Sequence, residues 1–263
     1  MNINIRGRLF DLSKPKVMGI LNLTPDSFYD GGVHNEINKI EDHVNKMVND
    51  GMDILDIGGY SSKPGAKNIS VDEELSRVIP ILKHIRKIFP ELVISIDTFR
   101  SKIASASLNE GADIINDISG GTLDKNMMSI VAKNNCPYIL MHMQGNPQNM
   151  QNDPSYENVT LEIIQYLAQR IKIAHDNNIV DIIVDPGFGF GKTLEHNFEI
   201  LNNLEKFNVL DTPILAGFSR KSMIYKTLKT SSEKALNGTS SLNTIALTKG
   251  AKILRVHDVK EAK

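Results

Sequence analysis

A recurring alternation of apolar runs and helical segments constrains this chain more than any other feature. From Lys16 onward the sequence cycles through an apolar strand, a polar or glycine-rich break, a helix with apolar residues three and four apart, and another strand. Strands are expected at Val17–Leu23, Ile54–Gly58, Val93–Asp97, Ile114–Ile118, Tyr138–His142, Ile182–Asp185, Ile214–Gly217 and Ile253–Val256. Helices are expected between them, at about Ile37–Asp50, Val71–Ile88, Ser101–Glu110, Lys125–Asn134, Tyr156–Asn177, Leu194–Leu204, Arg220–Leu228 and Ser240–Lys249. Continuous Ile, Val and Leu runs, rather than strict alternation, fit parallel strands buried on both faces. Roughly eight such units in about 250 residues make a closed (β/α)8 barrel, whereas a doubly wound sheet uses fewer strands. The expected fold class is α/β, a (β/α)8 TIM barrel, with residues 1–263 forming a single domain.

Two ends depart from the repeat. Met1–Pro15 has weak alternation in Ile3 and Ile5 and again in Leu9–Leu12, with Gly7 as a turn, and is expected to be a hairpin plugging the barrel bottom. After the eighth strand only Asp258–Lys263 remain, so a truncated or missing last helix is expected, with its apolar face otherwise covered. Gly111 and Gly250 each precede a strand and suit left-handed helix stops.

Composition excludes some functions. Lys plus Arg (30) and Asp plus Glu (31) nearly cancel, so no global field favours nucleic acid or an anionic membrane. An anionic ligand must then be held locally. Cys136 is the lone cysteine and is expected to be inert packing, and neither a signal peptide nor a long apolar span is evident. A cytoplasmic protein is expected.

In this fold the chemistry gathers at the C-terminal ends of the strands. Those ends are polar throughout: Asn22; Asp56 running into Ser61, Ser62 and Lys63; Asp97; Asn116 and Asp117; His142; Asp185; Ser219, Arg220 and Lys221; and Arg255 with His257. Asp97, Asn116 and Asp185 offer acceptors, plus one amide, to a flat heterocycle rich in N–H donors. A carboxylate facing an aminopyrimidine edge can accept two parallel bonds, which fixes orientation. Ser62, Lys63, Arg255 and His257 supply donors and positive charge suited to phosphate, although Arg255 and His257 could instead pair with Asp258. The histidines are too scattered for zinc; a metal, if the site uses one, is expected to be Mg2+ held by few protein oxygens and by ligand phosphates, with Asn22 as its protein contact.

Two loops stand out. Ile182–Thr193 runs into Asp185, Pro186 and the glycines Gly187, Gly189 and Gly191, but it fits neither phosphate motif. A P-loop would need glycine at Pro186, and a dinucleotide fingerprint would need glycine at Lys192. What remains is a strand-end acid followed by backbone able to approach a flat ligand closely. The loop from Asn22 to Gly32, with Phe28 as an apolar cap and Gly31–Gly32 as a hinge, reads as a lid.

The segments 18–28 (MGILNLTPDSF), 56–65 (DIGGYSSKPG), 95–98 (SIDT), 115–120 (INDISG), 185–191 (DPGFGFG), 219–221 (SRK) and 255–257 (RVH) together resemble dihydropteroate synthase, in order from about Lys16 to the C-terminus. The resemblance implies an enzyme of folate synthesis, a transferase of the pterin-binding barrels. It would join p-aminobenzoate to the methylene carbon of dihydropterin pyrophosphate and release pyrophosphate with Mg2+ assistance. It implies that Asp97, Asn116, Asp185 and Lys221 hold the pterin. Arg255, His257 and Asn22, with Ser62, are implied for pyrophosphate and Mg2+. Phe28, Pro64, Phe190, Ser219 and Lys221 are implied for the aminobenzoate pocket, where sulfonamides compete, and Asp30 for the reacting cation. Homodimerisation through late helices is common in the family. Tyr60 and Lys63 depart from its second signature, which commonly carries Glu and Arg; Lys63 keeps the charge but loses the forked guanidinium. A pterin-dependent methyltransferase would share the pterin acids without needing a pyrophosphate cage or the lid, and a catalytically silent pterin-binding barrel is the alternative from another class.

Overall fold

The computed structural model describes residues 1–23, 33–62 and 65–263, with nothing described of the side chains of residues 33–36. The expected barrel is present. Strands β3 (Lys16–Asn22), β4 (Ile54–Gly58), β5 (Val93–Asp97), β6 (Ile114–Asp117), β7 (Tyr138–Met141), β8 (Ile182–Asp185), β9 (Ile214–Ala216) and β10 (Ala251–Val256) close a parallel barrel in the order β10-β3-β4-β5-β6-β7-β8-β9. Helices α1 (Val33–Asn49), α2 (Val71–Ile88), α3 (Ser101–Asn109), α4 (Met127–Lys133), α5 (Val159–Asp176), α6 (Leu194–Asn202), α7 (Ser222–Thr227), α8 (Leu236–Thr248) and the single turn α9 (Val259–Ala262) are described between and after them.

Side-chain parity divides the core. On the strands, Val17, Leu55, Ile57, Ile94, Ile96, Ile115, Leu140, Val184 and Leu254 point outward and pack with the helices in one large cluster. Met18, Ile54, Ile114, Ile139, Ile183, Leu215 and Ile253 point inward as the lower barrel layer. The antiparallel hairpin β1 (Asn2–Ile5) and β2 (Arg8–Asp11) adds Ile3 and Ile5, followed by Leu12, to that same cluster, so it is the bottom plug that the sequence suggests. Because strand side chains alternate with period two, the residues two further along each strand face the barrel axis above this apolar floor. Those positions carry the polar residues of the site described below.

Local signals explain the helix bounds. The Ser70 hydroxyl caps α2 by accepting from the Glu73 amide, with Asp72, Glu73 and Glu74 in the first turn and Arg86 and Lys87 in the last, a charge order that complements the helix dipole. Asn158 accepts from the Leu161 amide, which starts α5 at Val159 rather than at Tyr156. Arg220 has φ +55°, a left-handed conformation that keeps it out of α7. Gly111 and Gly250 take φ +94° and +104°, the left-handed stops expected of them.

One buried acid ties the plug to the barrel. Asp113 is buried and accepts from Arg86 Nη2 at 2.7 Å, Arg6 Nη2 at 2.8 Å and the Ile94 amide at 2.8 Å, with Arg6 Nε on its other oxygen. Removing it takes the shared carboxylate from two cations, which keep backbone carbonyls as acceptors, and from the Ile94 amide. Asp113→Ala should lower the unfolding free energy by about 3 kcal/mol, toward the low end for a broken buried pair because Arg6 is partly exposed. A urea midpoint equal to that of the parent would remove this role.

Candidate active site

The inward positions of the upper barrel hold Asp56, Ser95, Asp97, Asn116, Asp185 and Arg255, two or four residues beyond the apolar floor of the same strands. Register sets Asn22, Gly58, Asp97 and Asn116 beside one another across four neighbouring strands. Two glycines carry no side chain at this level, and their positions locate their neighbours. A Cβ on Gly58 would come within 3.5 Å of the Asp97 Cβ and 3.6 Å of Asn22 Oδ1, and one on Gly217 within 3.6 Å of the Arg255 Cβ and 3.8 Å of Asp185 Oδ2. Asp97 thus lies beside Asn22, and Asp185 beside Arg255, with bare backbone between.

Arg255 is the hub. Its Nε donates to Asp56 Oδ2 at 2.6 Å and its Nη2 to Asp97 Oδ2 at 2.7 Å. Asn116 Nδ2 donates to the same Asp56 oxygen at 3.0 Å, which fixes the amide and leaves its carbonyl for another partner. The guanidinium is therefore braced by two carboxylates before any ligand arrives. Asp258, the partner considered for Arg255 from the sequence, is taken by Arg220, through Nε and Nη2 at 2.7 Å each.

Burial and charge tune the acids. Desolvation raises the Asp97 carboxyl to about 7, against the pull of Arg255 and with help from Asp56. Asp185 is also raised by burial, opposed by the Lys221 ammonium and by the Gly187 amide, which donates to Asp185 Oδ1 at 2.7 Å. Lys221 is lowered to about 8 by burial. Its ammonium donates to the Phe188 carbonyl at 2.6 Å and stands 4.7 Å from the Phe190 ring centroid, a cation–π distance. Ser219 is buried and its hydroxyl accepts from the His257 amide at 3.2 Å, tying β9's exit to β10's; Ser62 is half-buried and His257 exposed.

Sequence reasoning and geometry differ at several places. Asp117 and His142 lie at strand ends but on the outward parity. Asp117 accepts from Tyr138 Oη at 2.6 Å and from the Ser119 hydroxyl and amide, and the carboxyl is raised by burial. His142 lies edge-on to Tyr166, and burial beside Lys192 drives its imidazole down to about 2. The glycines of the β8 exit answer first to the protein itself: a Cβ on Gly187 would sit 1.9 Å from the His142 carbonyl oxygen, and one on Gly191 2.8 Å from that of Gln144. Asp56 was counted among the polar strand ends but given no role, although its parity with Ile54 and Gly58 marks it as inward-facing. Lys192, which looked like a mismatch to a nucleotide motif, is buried and lowered to about 7 by desolvation, and donates to His142 Nδ1 at 3.0 Å and the Phe190 carbonyl at 2.9 Å.

Phe28, Asp30, Lys63 and Pro64, and with them the proposed lid, lie outside the described residues. Among the described residues no group of three or more His, Cys, Asp and Glu side chains could hold a metal ion. Cys136 is buried with its thiol pushed up to about 12 by desolvation, unsuited to a nucleophile. No described helix is long and apolar enough to cross a membrane.

Comparison with known proteins converges on one group. The family profile "Pterin binding enzyme" matches residues 18–257. Dihydropteroate synthase of Escherichia coli K12 is 44% identical over 263 residues, covering 99% of this chain and 93% of its own. A crystal structure of the Yersinia pestis dihydropteroate synthase with a sulfonamide drug complex superposes with a TM-score of 0.92 at 39% identity, covering 100% of this chain and 95% of that one. The Xanthomonas albilineans dihydropteroate synthase with 4-aminobenzoic acid does so with a TM-score of 0.92 at 37% identity, covering 99% and 94%.

Proposed function

Because the chain belongs to the pterin-binding enzymes and, within them, to the dihydropteroate synthases, we propose that it condenses 6-hydroxymethyl-7,8-dihydropterin pyrophosphate with p-aminobenzoate, giving 7,8-dihydropteroate and pyrophosphate. The observation that carries the reading to particular residues is the inward row of Asp97, Asn116, Asp185 and Arg255 above an apolar barrel floor. A flat pterin suits that place. Asp185 would accept from its aminopyrimidine edge, Asn116 and Asp97 would meet the remaining ring donors and acceptors, and Lys221 would donate to the ring carbonyl.

The chemistry asks for little covalent help. The carbon–oxygen bond to pyrophosphate breaks largely before the amine attacks, and the bonding pair leaves with the pyrophosphate. The protein's work is then to stabilise an anion leaving and a cation forming, and to hold the amine in line. Arg255, His257, Ser62 and Lys63 would take the pyrophosphate, and Asp30, Asp97 and Asp185 would face the cationic pterin. Phe28, Pro64, Phe190, Ser219 and Lys221 would shape the p-aminobenzoate pocket, where sulfonamides would compete.

Asn22 fits a role in holding Mg2+. Its side-chain carbonyl is a hard oxygen at the C-terminal end of β3, adjacent to Asp97 across the bare Gly58, and Mg2+ prefers few protein oxygens together with substrate phosphates. The ion would neutralise charge on the leaving pyrophosphate. We also take residues 1–263 as one domain, acting as a cytoplasmic homodimer.

Pyrophosphate release tests the reading. With dihydropterin pyrophosphate, p-aminobenzoate and Mg2+ present, release should be catalytic and should depend on the amine; no release under any condition would overturn it. A methyltransferase would leave the pyrophosphate on its pterin.

A further inference from the structure

The connection from β7 to α5, His142 to Asn158, is far longer than the two to six residues typical of such a link. It is nevertheless tightly held. The Asn149 side chain accepts from the Asn146 amide at 2.8 Å, the Met150 amide donates to the Asn146 carbonyl at 2.8 Å, and Gln144 Nε2 donates to the Ser155 carbonyl at 3.1 Å. Met150 is 3% exposed and packs with Ile118, Met141 and Met143 in an apolar cluster against which Phe99 and Phe190 rest.

The segment is fastened on both sides. Toward β8's exit, Gln151 Nε2 donates to the Gly189 carbonyl at 2.6 Å and Tyr156 Oη to the Gly191 carbonyl at 2.7 Å. Lys192 holds the carbonyl between them, that of Phe190, at 2.9 Å. Three consecutive carbonyls around the Phe190 ring thus each accept from a side chain, two of them from this segment. Toward β4's exit, Gln148 Nε2 donates to Tyr60 Oη at 2.7 Å. Tyr60 is buried, edge-on to Phe99 at 5.1 Å, with the Arg100 guanidinium 5.2 Å from its ring centroid. Arg100 is itself fixed by Glu74 at 2.8 Å and the Ile69 carbonyl at 2.7 Å.

We propose that His142–Asn158 is a strap that seats Phe190 for the arylamine substrate, with Gln151, Gln148 and Tyr60 as its positioning residues. The proposal rests on the synthase reading above. An arylamine ring is flat and apolar except at its two ends, so its fit depends on where an aromatic wall stands. Phe190 stands on a glycine-flanked loop that has little stiffness of its own, and the strap supplies it. Tyr60, which departs from the family's signature, gains a role: held by Phe99 and Arg100, it anchors the far side of the strap through Gln148.

Steady-state kinetics of Gln151→Ala, Gln148→Ala, Tyr60→Phe and the Tyr60→Phe/Gln148→Ala double variant, beside the parent, test this. Tyr60→Phe keeps the ring on Phe99 and removes only the hydroxyl. The KM for p-aminobenzoate should rise about three- to tenfold in each single variant, the range expected when one hydrogen bond is lost. The KM for dihydropterin pyrophosphate should stay within about twofold, and the double variant should be no worse than the poorer single one, as a shared contact requires. An unchanged KM for p-aminobenzoate, equal losses for both substrates, or additive effects in the double variant would each overturn the strap while leaving the active parent, and the synthase reading, in place. A parent that releases no pyrophosphate would overturn both.

Discussion

Asp97→Asn should unfold at a higher temperature than the parent at pH 8 and turn over with about 10²-fold lower kcat/KM for the pterin substrate, the size expected when a bond to a charged group is lost. The stability half follows from charge matching around Arg255, which two carboxylates brace with one cation. Burial raises the Asp97 carboxyl from its ordinary 3.8 to about 7 in the folded chain. A carboxyl raised in this way stabilises the fold fully only below its unfolded value, and that contribution is lost as pH rises through about 7. At pH 8 the parent therefore carries a charge its surroundings disfavour. Asparagine carries none, and its oxygen can still accept from Arg255 Nη2. The difference in Tm between variant and parent should narrow as pH falls from 8 to 5, because the parent's own carboxyl then becomes neutral. Calorimetric scans across that range check the sign; a variant less stable than the parent at pH 8 would show that Arg255 needs both charges. The activity half follows because the proposed pterin contact requires an acceptor that is not also an amide donor.

The second large effect lies at Arg255 itself. Arg255→Met should cost about 3–5 kcal/mol of stability, since it takes from the buried Asp56 and Asp97 carboxyls the cation that pairs with both. In a chain of this size that corresponds to a fall in Tm of roughly 10 °C. Pyrophosphate release should fall below detection. Combining Arg255→Met with Asp56→Asn should restore much of the lost stability, because the fully buried Asp56 carboxylate is then neutral. Activity should not return, because the guanidinium proposed to bind the pyrophosphate is still absent. Thermal scans and pyrophosphate release on the single and double variants separate the two roles; a double variant no more stable than Arg255→Met would show that the charge on Asp56 is not what the guanidinium offsets.

The barrel was legible because its signals are redundant. Ile54–Gly58, Val93–Asp97, Ile182–Asp185 and Val71–Ile88 emerge with the bounds expected of them, each being an apolar run or an amphipathic span closed by capping or turn residues. Boundaries moved where a single side chain decides them, as Asn158 does for α5 and left-handed Arg220 does for α7. The site was partly legible for the same reason. Asp97, Asn116, Asp185 and Arg255 are polar residues at inward parity on strands that are otherwise apolar, and they do converge. Counting strand ends without parity put Asp117 and His142, whose side chains leave the barrel, on the same footing as Asp56, which faces its axis and was given no role. Lys192, Gln148 and Gln151 were invisible for a different reason. They reach partners far away in sequence, as Gln148 does Tyr60, Gln151 the Gly189 carbonyl and Lys192 His142, and no local pattern announces a tertiary hydrogen bond.

The most direct test of the account is a crystal structure of this chain grown with 6-hydroxymethylpterin. The ring should lie on the barrel axis above the apolar floor, its aminopyrimidine edge on the Asp185 carboxylate at about 2.7–3.2 Å, with Asn116 and Lys221 on its other polar atoms. A pterin bound elsewhere, or bound in the barrel mouth with its aminopyrimidine edge turned away from Asp185, would contradict the assignment.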